Sequence, residues 1–428
     1  MRKLLVALMM VAFAATAFAA DITFSGAYEV SGKYLDNVEG SEDSDYTQRF
    51  YEHDFDLWLN AQVDKDTFFK AKFEFLDGTW EGSPASDGDY ADQTQFSVQR
   101  AWMGHNFGSV LLEVGLMNGG GWSYNFGNNV EGKYRIKATI PVTVGKVIAF
   151  VQKSSESNNI GDYEDKEKDD GDLYALGYTG KFSGITVAPL FTYANNSQKV
   201  KGHEASAASY SLDPATGLVV MAPATSAESG DNDGDTVVSF DLAVGGDLGA
   251  VGFELEFDYD DVTTDVSGAD DYSAYGIYGN IYTKVAGAKL GFITAYSSFD
   301  EDAGKAYDMG DDFDDDLLFV LGDEGYLANT LGIDGYSGLA GIWANGLYAS
   351  YDVNAKFNIT GGAFYAVSTL EDTEFEDATA FEIDIMATYA ITDAMSYTVK
   401  LGYAEIDTDT SYDVDPAIGL INTLNLSF

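Results

Sequence analysis

The sequence predicts an all-β chain folded as a transmembrane, antiparallel, up-and-down β-barrel. Three observations predict it. The chain ends AIGLINTLNLSF, in which Ile418, Leu420, Leu424, Leu426 and Phe428 share one face, with Asn422 the only interruption, and Thr423, Asn425 and Ser427 share the other. A last strand that finishes on an apolar aromatic frays in water, but it is stable if it pairs with another strand and turns that face to lipid. Second, the stretches between turns run to about ten to fourteen residues, enough to cross a tilted bilayer and longer than the strands of soluble sandwiches. Third, long and short connections alternate along the whole chain.

The chain opens MRKLLVALMMVAFAATAFAA. Arg2 and Lys3, the apolar run 4–13 and the small residues Ala17 and Ala19 make the three parts of a secretory signal. Residues 1–20 are therefore expected to be cleaved and 21–428 to form a single barrel domain. No later stretch is apolar enough for a membrane helix. The absence of Cys excludes a disulfide scaffold and thiol chemistry. Only 6 Pro beside 46 Gly, 28 Tyr and 27 Phe suit long strands joined by turns. A formal charge of −47 excludes nucleic acid as a partner and attracts cations.

Taken in order, 22–34 is a first strand and 35–49 an acidic loop. In 50–63, Phe55, Leu57, Leu59, Ala61 and Val63 alternate with Asp54, Asp56, Trp58 and Asn60. Asp64–Thr67 is a tight turn. In 68–77, Phe69, Ala71, Phe73 and Phe75 oppose Lys70, Lys72 and Glu74. Further long loops are expected near 78–94, 118–131, 154–171, 194–235, 261–270, 299–336, 368–377 and 407–416. Short turns are expected near 105–108, 141–145, 179–181, 246–249, 285–287, 352–354 and 391–394. The rhythm gives eighteen strands, with sixteen as the alternative, and both termini at the short-turn rim. Strands near 172–193 and 236–249 carry the weakest pattern. Tyr51, Trp58, Phe107, Tyr134, Tyr178, Tyr351, Tyr389 and Tyr403 are candidates for aromatic girdles, although parity turns Trp58 and Trp102 inward.

Charge rows identify the inner face. A charge facing lipid at mid-bilayer costs ~2–4 kcal/mol, so rows of three must face water. The basic candidates for the pore lining are Lys70, Lys72, Arg100, Lys133, Arg135 and Lys137, from strands three to six. The acidic ones are Glu113, with Glu254, Glu256 and Asp258 from strand eleven and Glu382 and Asp384 from strand sixteen. A basic arc facing acidic arcs makes a transverse field that orients dipolar solutes. Alternatively, these charges only keep the lumen wet and pair with neighbours.

The stretch 99–116, QRAWMGHNFGSVLLEVGL, joins an Arg-containing strand, a short turn with Phe-Gly and a strand ending in Val-Gly-Leu. It resembles the Gram-negative outer-membrane general porins, and the leader, loop rhythm and terminal Phe428 extend the likeness over the chain. The resemblance implies a homotrimer of 16- or 18-strand barrels, with short periplasmic turns, long acidic outer loops and a constriction loop after strand five. It also implies that Phe428 is the signal read by the barrel-assembly machinery. The segment matching the constriction loop is 118–131, NGGGWSYNFGNNVE, which departs from the usual acidic loop because only Glu131 is charged. Trp122, Tyr124 and Phe126 would make an aromatic constriction instead, and loops 194–235 and 299–336 are rivals.

No catalytic site or cofactor is expected. His53, His105 and His203 fall in a strand, a turn and a loop, without metal-ligand spacing. The run Asp231-Asn232-Asp233-Gly234-Asp235 starts like a calcium loop but has Thr236 and Leu242 where Gly and Glu are needed. This run and the acids of 311–316 would bind Ca²⁺ or Mg²⁺ at most loosely, bridging to lipopolysaccharide phosphates. The expected function is an outer-membrane porin for passive diffusion of ions and small hydrophilic solutes. It would prefer cations if the lumen acids reach the path. The alternatives are a substrate-selective, saccharide-type channel and a structural or adhesive barrel. A barrel enzyme would need a convergent Ser/His or Asp/His site. Expected partners are membrane lipid, lipopolysaccharide, the assembly machinery and two further copies of the chain.

Overall fold

The computed structural model describes residues 21–38, 47–80, 96–119, 122–126, 132–155, 171–196, 209–212, 219–222, 235–264, 270–309, 320–321, 326, 340–371, 375–408 and 415–428. Eighteen strands close on themselves in one antiparallel sheet. They are β1 (Asp21–Asp36), β2 (Thr47–Gln62), β3 (Thr67–Thr79), β4 (Phe96–Asn106), β5 (Leu111–Asn118), β6 (Gly132–Pro141), β7 (Lys146–Ser155), β8 (Gly171–Phe182) and β9 (Ile185–Asn196). These are followed by β10 (Asp235–Leu248), β11 (Val251–Thr264), β12 (Tyr272–Val285), β13 (Ala288–Ser297), β14 (Ile342–Asn354), β15 (Phe357–Ser368), β16 (Thr379–Thr392), β17 (Met395–Asp407) and β18 (Ala417–Ser427). Each pairs with the next, and β18 returns to β1 from Ala27↔Ser427 to Asp36↔Ile418. Closure leaves no unpaired sheet edge, which is what a wall in lipid requires. The expected leader, 1–20, lies outside the described residues.

The expected rhythm is realised. Short connections, the first described residue Asp21 and the C-terminal Phe428 share one rim, and long connections share the other. Two turns are displaced: the one expected at 352–354 falls at Ala355-Lys356, past the end of β14, and the one expected at 179–181 falls at Ser183-Gly184, where the chain adopts φ of 49° and 93°. Gly180 and Gly184 both read as turn glycines, and the register across β8 and β9 selects the later one.

Outward faces are apolar because the alternation places them there. Val251, Leu255, Phe257 and Tyr259 on β11, Ile383, Ile385 and Tyr389 on β16, and Tyr134, Ile136 and Ile140 on β6 are all exposed on the outside of the wall. Among the girdle candidates, Tyr51, Phe107, Tyr134, Tyr351, Tyr389 and Tyr403 are exposed. Asn422, the interruption in the last strand, faces outward and donates through Nδ2 to the Gly32 carbonyl at 2.9 Å across the closing seam. Its polar head is thereby satisfied beside lipid.

The inside of the barrel has two unlike halves. Along β12–β18 the inward positions are largely small or apolar. Ala295, Ile342, Ala344, Phe364, Ala366, Ala380, Ala404, Ile406, Ala417 and Ile421 are buried against Tyr307, Met309, Val320, Leu321 and Tyr326 of the long β13–β14 connection. These described residues of the connection lie inside the barrel as an apolar plug. A wholly wet lumen was expected. On this side it is a packed core, because alanines at inward positions leave room for a chain segment to bury its side chains. The other half, β1–β7, keeps its charged rows.

Candidate functional site: the barrel lumen

The basic arc is assembled on β3–β6. Lys70, Lys72, Arg100, Arg135 and Lys137 take inward positions on strands whose alternate residues face out. Registers bring them together: Lys72 lies opposite Arg100 and Trp58, and Glu113 lies opposite Lys137. Lys72 Nζ pairs with Asp56 Oδ2 at 2.6 Å, and Lys137 Nζ with Glu113 Oε2 at 2.8 Å. Glu113 also accepts a 3.2 Å bond from Trp102 Nε1. Arg135 donates from Nε to Gln152 at 2.7 Å and from Nη1 to the Asn118 carbonyl at 3.1 Å, and its guanidinium lies 4.2 Å from the Phe150 ring centre. Trp58 and Trp102 do face inward: Lys72 and Arg100 stand over Trp58, and Lys70 over Trp102. Lys133 is half-buried at the long-loop end of β6. Among the described residues, Asp54, Asp56 and Glu74 form a carboxylate group with oxygens within 4.8 Å of one another. Lys72 pairs with Asp56, and Ser97 and Gln99 donate to Glu74, while Asp54 Oδ1 and Asp56 Oδ1 are buried without a hydrogen-bond partner, so the group keeps a net negative charge.

The acidic candidates face inward as expected, but four of them do not line open water. Glu256 and Asp258 are 2% exposed, Glu382 0% and Asp384 4%. Two inward chain segments cover them. Residues 122–126 run as a strap across β8–β12: Glu256 Oε2 accepts the backbone N–H groups of Tyr124 at 3.1 Å and Asn125 at 2.7 Å. At the second site, Glu382 accepts Val320 N–H at 2.8 Å and Leu321 N–H at 2.9 Å, fixing the plug. In each case one carboxylate satisfies two consecutive amides that would otherwise be buried without partners. Tyr326 ties the plug to the last long connection through a 2.7 Å bond to the Asp415 carbonyl. Glu254, at the open edge, accepts from Asn280 at 3.1 Å.

The strap corrects a second expectation. Trp122, Tyr124 and Phe126 lie inside the barrel, but their rings turn to the wall, not to the passage. Trp122 and Tyr124 occupy the space that a Cβ would fill on inward glycines, Gly177 of β8 and Gly245 of β10; at Gly276 of β12 the Tyr307 ring comes first, and Phe126 packs beside it with ring centres 5.7 Å apart. Trp122 Nε1 also donates to the Ala188 carbonyl at 3.1 Å. Burial, and next the Glu254 carboxylate, push the Tyr124 phenol above its ordinary pKa, so it stays a neutral donor. Glu131, the charge expected in this loop, lies outside the described residues, as do His203 and the acidic stretches 231–234 and 311–316.

Comparison of the whole fold places this geometry among known barrels. A BenF-like porin from Pseudomonas fluorescens Pf-5 superposes with a TM-score of 0.57 at 9% identity, covering 95% of this chain and 99% of that one. Pseudomonas aeruginosa OccK9 (OpdG) gives 0.57 at 11%, covering 95% and 99%. OccK3 (OpdO) of the same organism gives 0.56 at 10%, covering 95% of each chain. The chain has a porin-like fold. No protein-family model and no curated protein matches it.

Sequence reasoning missed three features of this site: the inward glycines, the two carboxylate clamps and the alanine bed of the plug. Their signal lay at inward positions of the alternation, where Gly177, Gly245 and Gly276, or Ala344, Ala366 and Ala380, stand in place of the charges and long polar residues of β3–β6. Small inward residues mark places where something else fills the lumen. The histidines stay apart: His53 packs on Tyr28 and Trp80, and His105 Nδ1 bonds Thr67 Oγ1 at 2.8 Å.

Proposed function

We propose that the chain is an outer-membrane porin, a water-filled channel for passive diffusion of ions and small hydrophilic solutes. One observation carries this reading. Lys70, Lys72, Arg100, Arg135 and Lys137 project inward from a wall whose outer face is apolar, on the half of the barrel that the plug does not fill. Neither lipid nor a packed core tolerates such a row. The passage runs between this arc and the strap.

Ion preference follows from which charges remain in the path. Glu256, Asp258, Glu382 and Asp384 are covered, so a cation preference rests on Asp54, Asp56, Glu74 and Glu254 and on the acids of the long loops. With 70 acidic residues against 23 basic ones, the mouth concentrates cations. A saccharide-type channel would need free aromatic faces, but Trp58 and Trp102 are met by cations within 5.8 Å of their ring centres. The homotrimer, the contacts with lipopolysaccharide and the recognition of Phe428 by the assembly machinery belong to the same proposal. Planar-bilayer recording in a KCl gradient tests it. Purified, folded protein without conductance refutes the channel, and a zero-current potential on the anion side refutes the cation preference.

A further inference from the structure

The basic arc does not account for every inward lysine. Below it, toward the short-turn rim, a cavity of about 580 Å³ opens between the β4–β5, β6–β7 and β8–β9 hairpins. Cross-strand registers set its wall. Leu111 lies opposite Thr139, Pro141 opposite Lys146, Lys146 opposite Thr179 and Lys181 opposite Thr186, all at inward positions of the alternation. Lys146 and Lys181 are therefore diagonal neighbours, about 7–8 Å apart, and two flexible ammonium arms at that spacing can close on one guest. The lysines of the arc are already engaged: Lys72 and Lys137 hold carboxylates, and Lys70 lies over Trp102. Lys146 and Lys181 are exposed, and among the described residues neither has an acidic partner. Inward acids nearby are engaged or set apart: Glu113 holds Lys137, Glu254 accepts from Asn280, and Asp247 lies past Gly245, the residue opposite Thr186. Two unpaired ammoniums in a concave wall, beside apolar Leu111 and Pro141, focus a local positive potential. The neutral groups add donors. Asn106 Oδ1 is taken by the Gly108 N–H at 2.9 Å, which leaves Nδ2 as the open head of that side chain. The hydroxyls of Thr139, Thr179 and Thr186 are engaged by no other group among the described residues.

We propose that this cavity is a binding site for a phosphate dianion, either inorganic phosphate or the head of a small phosphomonoester, held between Lys146 and Lys181. Two lysines match its two charges. Hydroxyl and amide donors meet its remaining oxygens from several directions, as a tetrahedral anion requires. No Arg lines the cavity among the described residues, so the fork that grips a planar carboxylate is missing. The volume leaves room beyond the phosphate group for a small organic moiety. The site opens at the rim opposite the long loops, so a dianion arriving from that side crosses no acidic mouth. Binding at equilibrium needs no current, so the site stands or falls apart from the channel reading.

The test is isothermal titration calorimetry of the folded barrel in dodecyl maltoside, in phosphate-free buffer at low ionic strength. Inorganic phosphate and glycerol 3-phosphate are titrated separately, and one site is expected for each. Equal affinities assign the site to the phosphate group alone, and tighter binding of the ester assigns it to a phosphomonoester that fills the cavity. Acetate should bind about tenfold more weakly or worse. Lys146→Gln and Lys181→Gln should each weaken phosphate binding about tenfold, the loss of one charge-assisted bond, and together should abolish it. Lys284→Gln, at the same rim on the far side of the barrel, should leave it unchanged. The unmodified chain gives a second readout that needs no variant. Phosphate should slow acetylation of Lys146 and Lys181, followed by mass spectrometry, while chloride at equal ionic strength should not. A folded barrel that binds neither probe, binds acetate as tightly as phosphate, or keeps its phosphate affinity without both lysines overturns the proposal. A barrel that conducts without binding phosphate leaves the channel reading standing and removes the site. One that binds phosphate but never conducts keeps the site and removes the channel.

Discussion

Gly26 and Phe428 face each other across the closing seam. Gly26 N–H donates to the Phe428 carbonyl at 2.8 Å, and Phe428 N–H donates back to the Gly26 carbonyl at 3.0 Å. A Cβ on Gly26 would stand 2.6 Å from the Phe428 ring and 2.8 Å from the Asp56 carbonyl oxygen. The terminal aromatic is thus the last rung of the β1–β18 ladder, with its ring, 60% exposed, lying over a glycine. Deleting Phe428 removes both bonds, a loss of about 1–3 kcal/mol at about 1 kcal/mol each, and frees the rim of β1. Gly26→Val should produce a similar defect by pushing the ring away. Heat-modifiable mobility on gels should show slower barrel formation for both variants. Wild-type folding yield in both would refute this account of the seam.

Glu382→Gln should loosen the plug. The amide keeps one acceptor oxygen for two donors, Val320 and Leu321, and leaving one buried N–H without a partner costs about 1–3 kcal/mol. Limited proteolysis at the β13–β14 connection should speed up several-fold while the sheet's circular dichroism stays unchanged.

The plug's bed should resist enlargement. Ala404 is fully buried within it, so Ala404→Leu forces extra methylenes into a filled space, a cost of about 1–3 kcal/mol. The expected result is a lower unfolding midpoint in detergent. Thr139→Leu, on the open half of the wall, should shift that midpoint much less.

Glu113→Gln should strip Lys137 of its 2.8 Å counter-ion. Both groups are partly exposed, so the stability effect stays within about 1 kcal/mol. The effect on permeation should be larger, with a zero-current potential shifted toward Cl⁻. No shift would mean that β6 does not border the path.

Asp64 gives the turn between β2 and β3 an acid-sensitive limb. Its carboxylate accepts from the backbone N–H groups of Asp66 and Thr67, each at 2.8 Å, and from Thr67 Oγ1 at 3.1 Å. These bonds, the Asp66 amide first, hold its pKa below the ordinary carboxylate value. A lowered folded-state pKa means that the stabilisation is complete above the unfolded carboxylate pKa and is lost as pH falls through the folded value. Wild type and Asp64→Ala should therefore differ in unfolding midpoint at neutral pH and converge below about pH 3.

Alternation made the wall readable. Lipid imposes a strict period of two on a strand, so rows such as Glu254, Glu256 and Asp258 declare an inner face without any knowledge of neighbours. Loop length declares the rim for a similar reason, since hairpins at one edge are tight and those at the other carry insertions. Both signals are local, and eighteen strands with the correct faces followed from them. The turn at Ser183-Gly184 was misplaced because two glycines compete locally and only cross-strand register chooses between them.

What faces inward is a local property, but what it meets there is not. Inward position was legible for Glu256 and Glu382. That each would be consumed by two amides from a segment 131 or 61 residues away was not, because nothing in a pattern of period two encodes how a loop re-enters its own barrel. The same holds for Trp122, Tyr124 and Phe126, whose aromatic character was plain while their direction depended on Gly177 and Gly245 on two other strands and on Tyr278 and Tyr307. By itself the sequence determined the wall: its strand number, its closure through Phe428 and its apolar exterior. The tertiary structure alone decided how the lumen is divided between a packed core and an open passage. That division depends on volumes and buried hydrogen bonds between residues far apart in the chain.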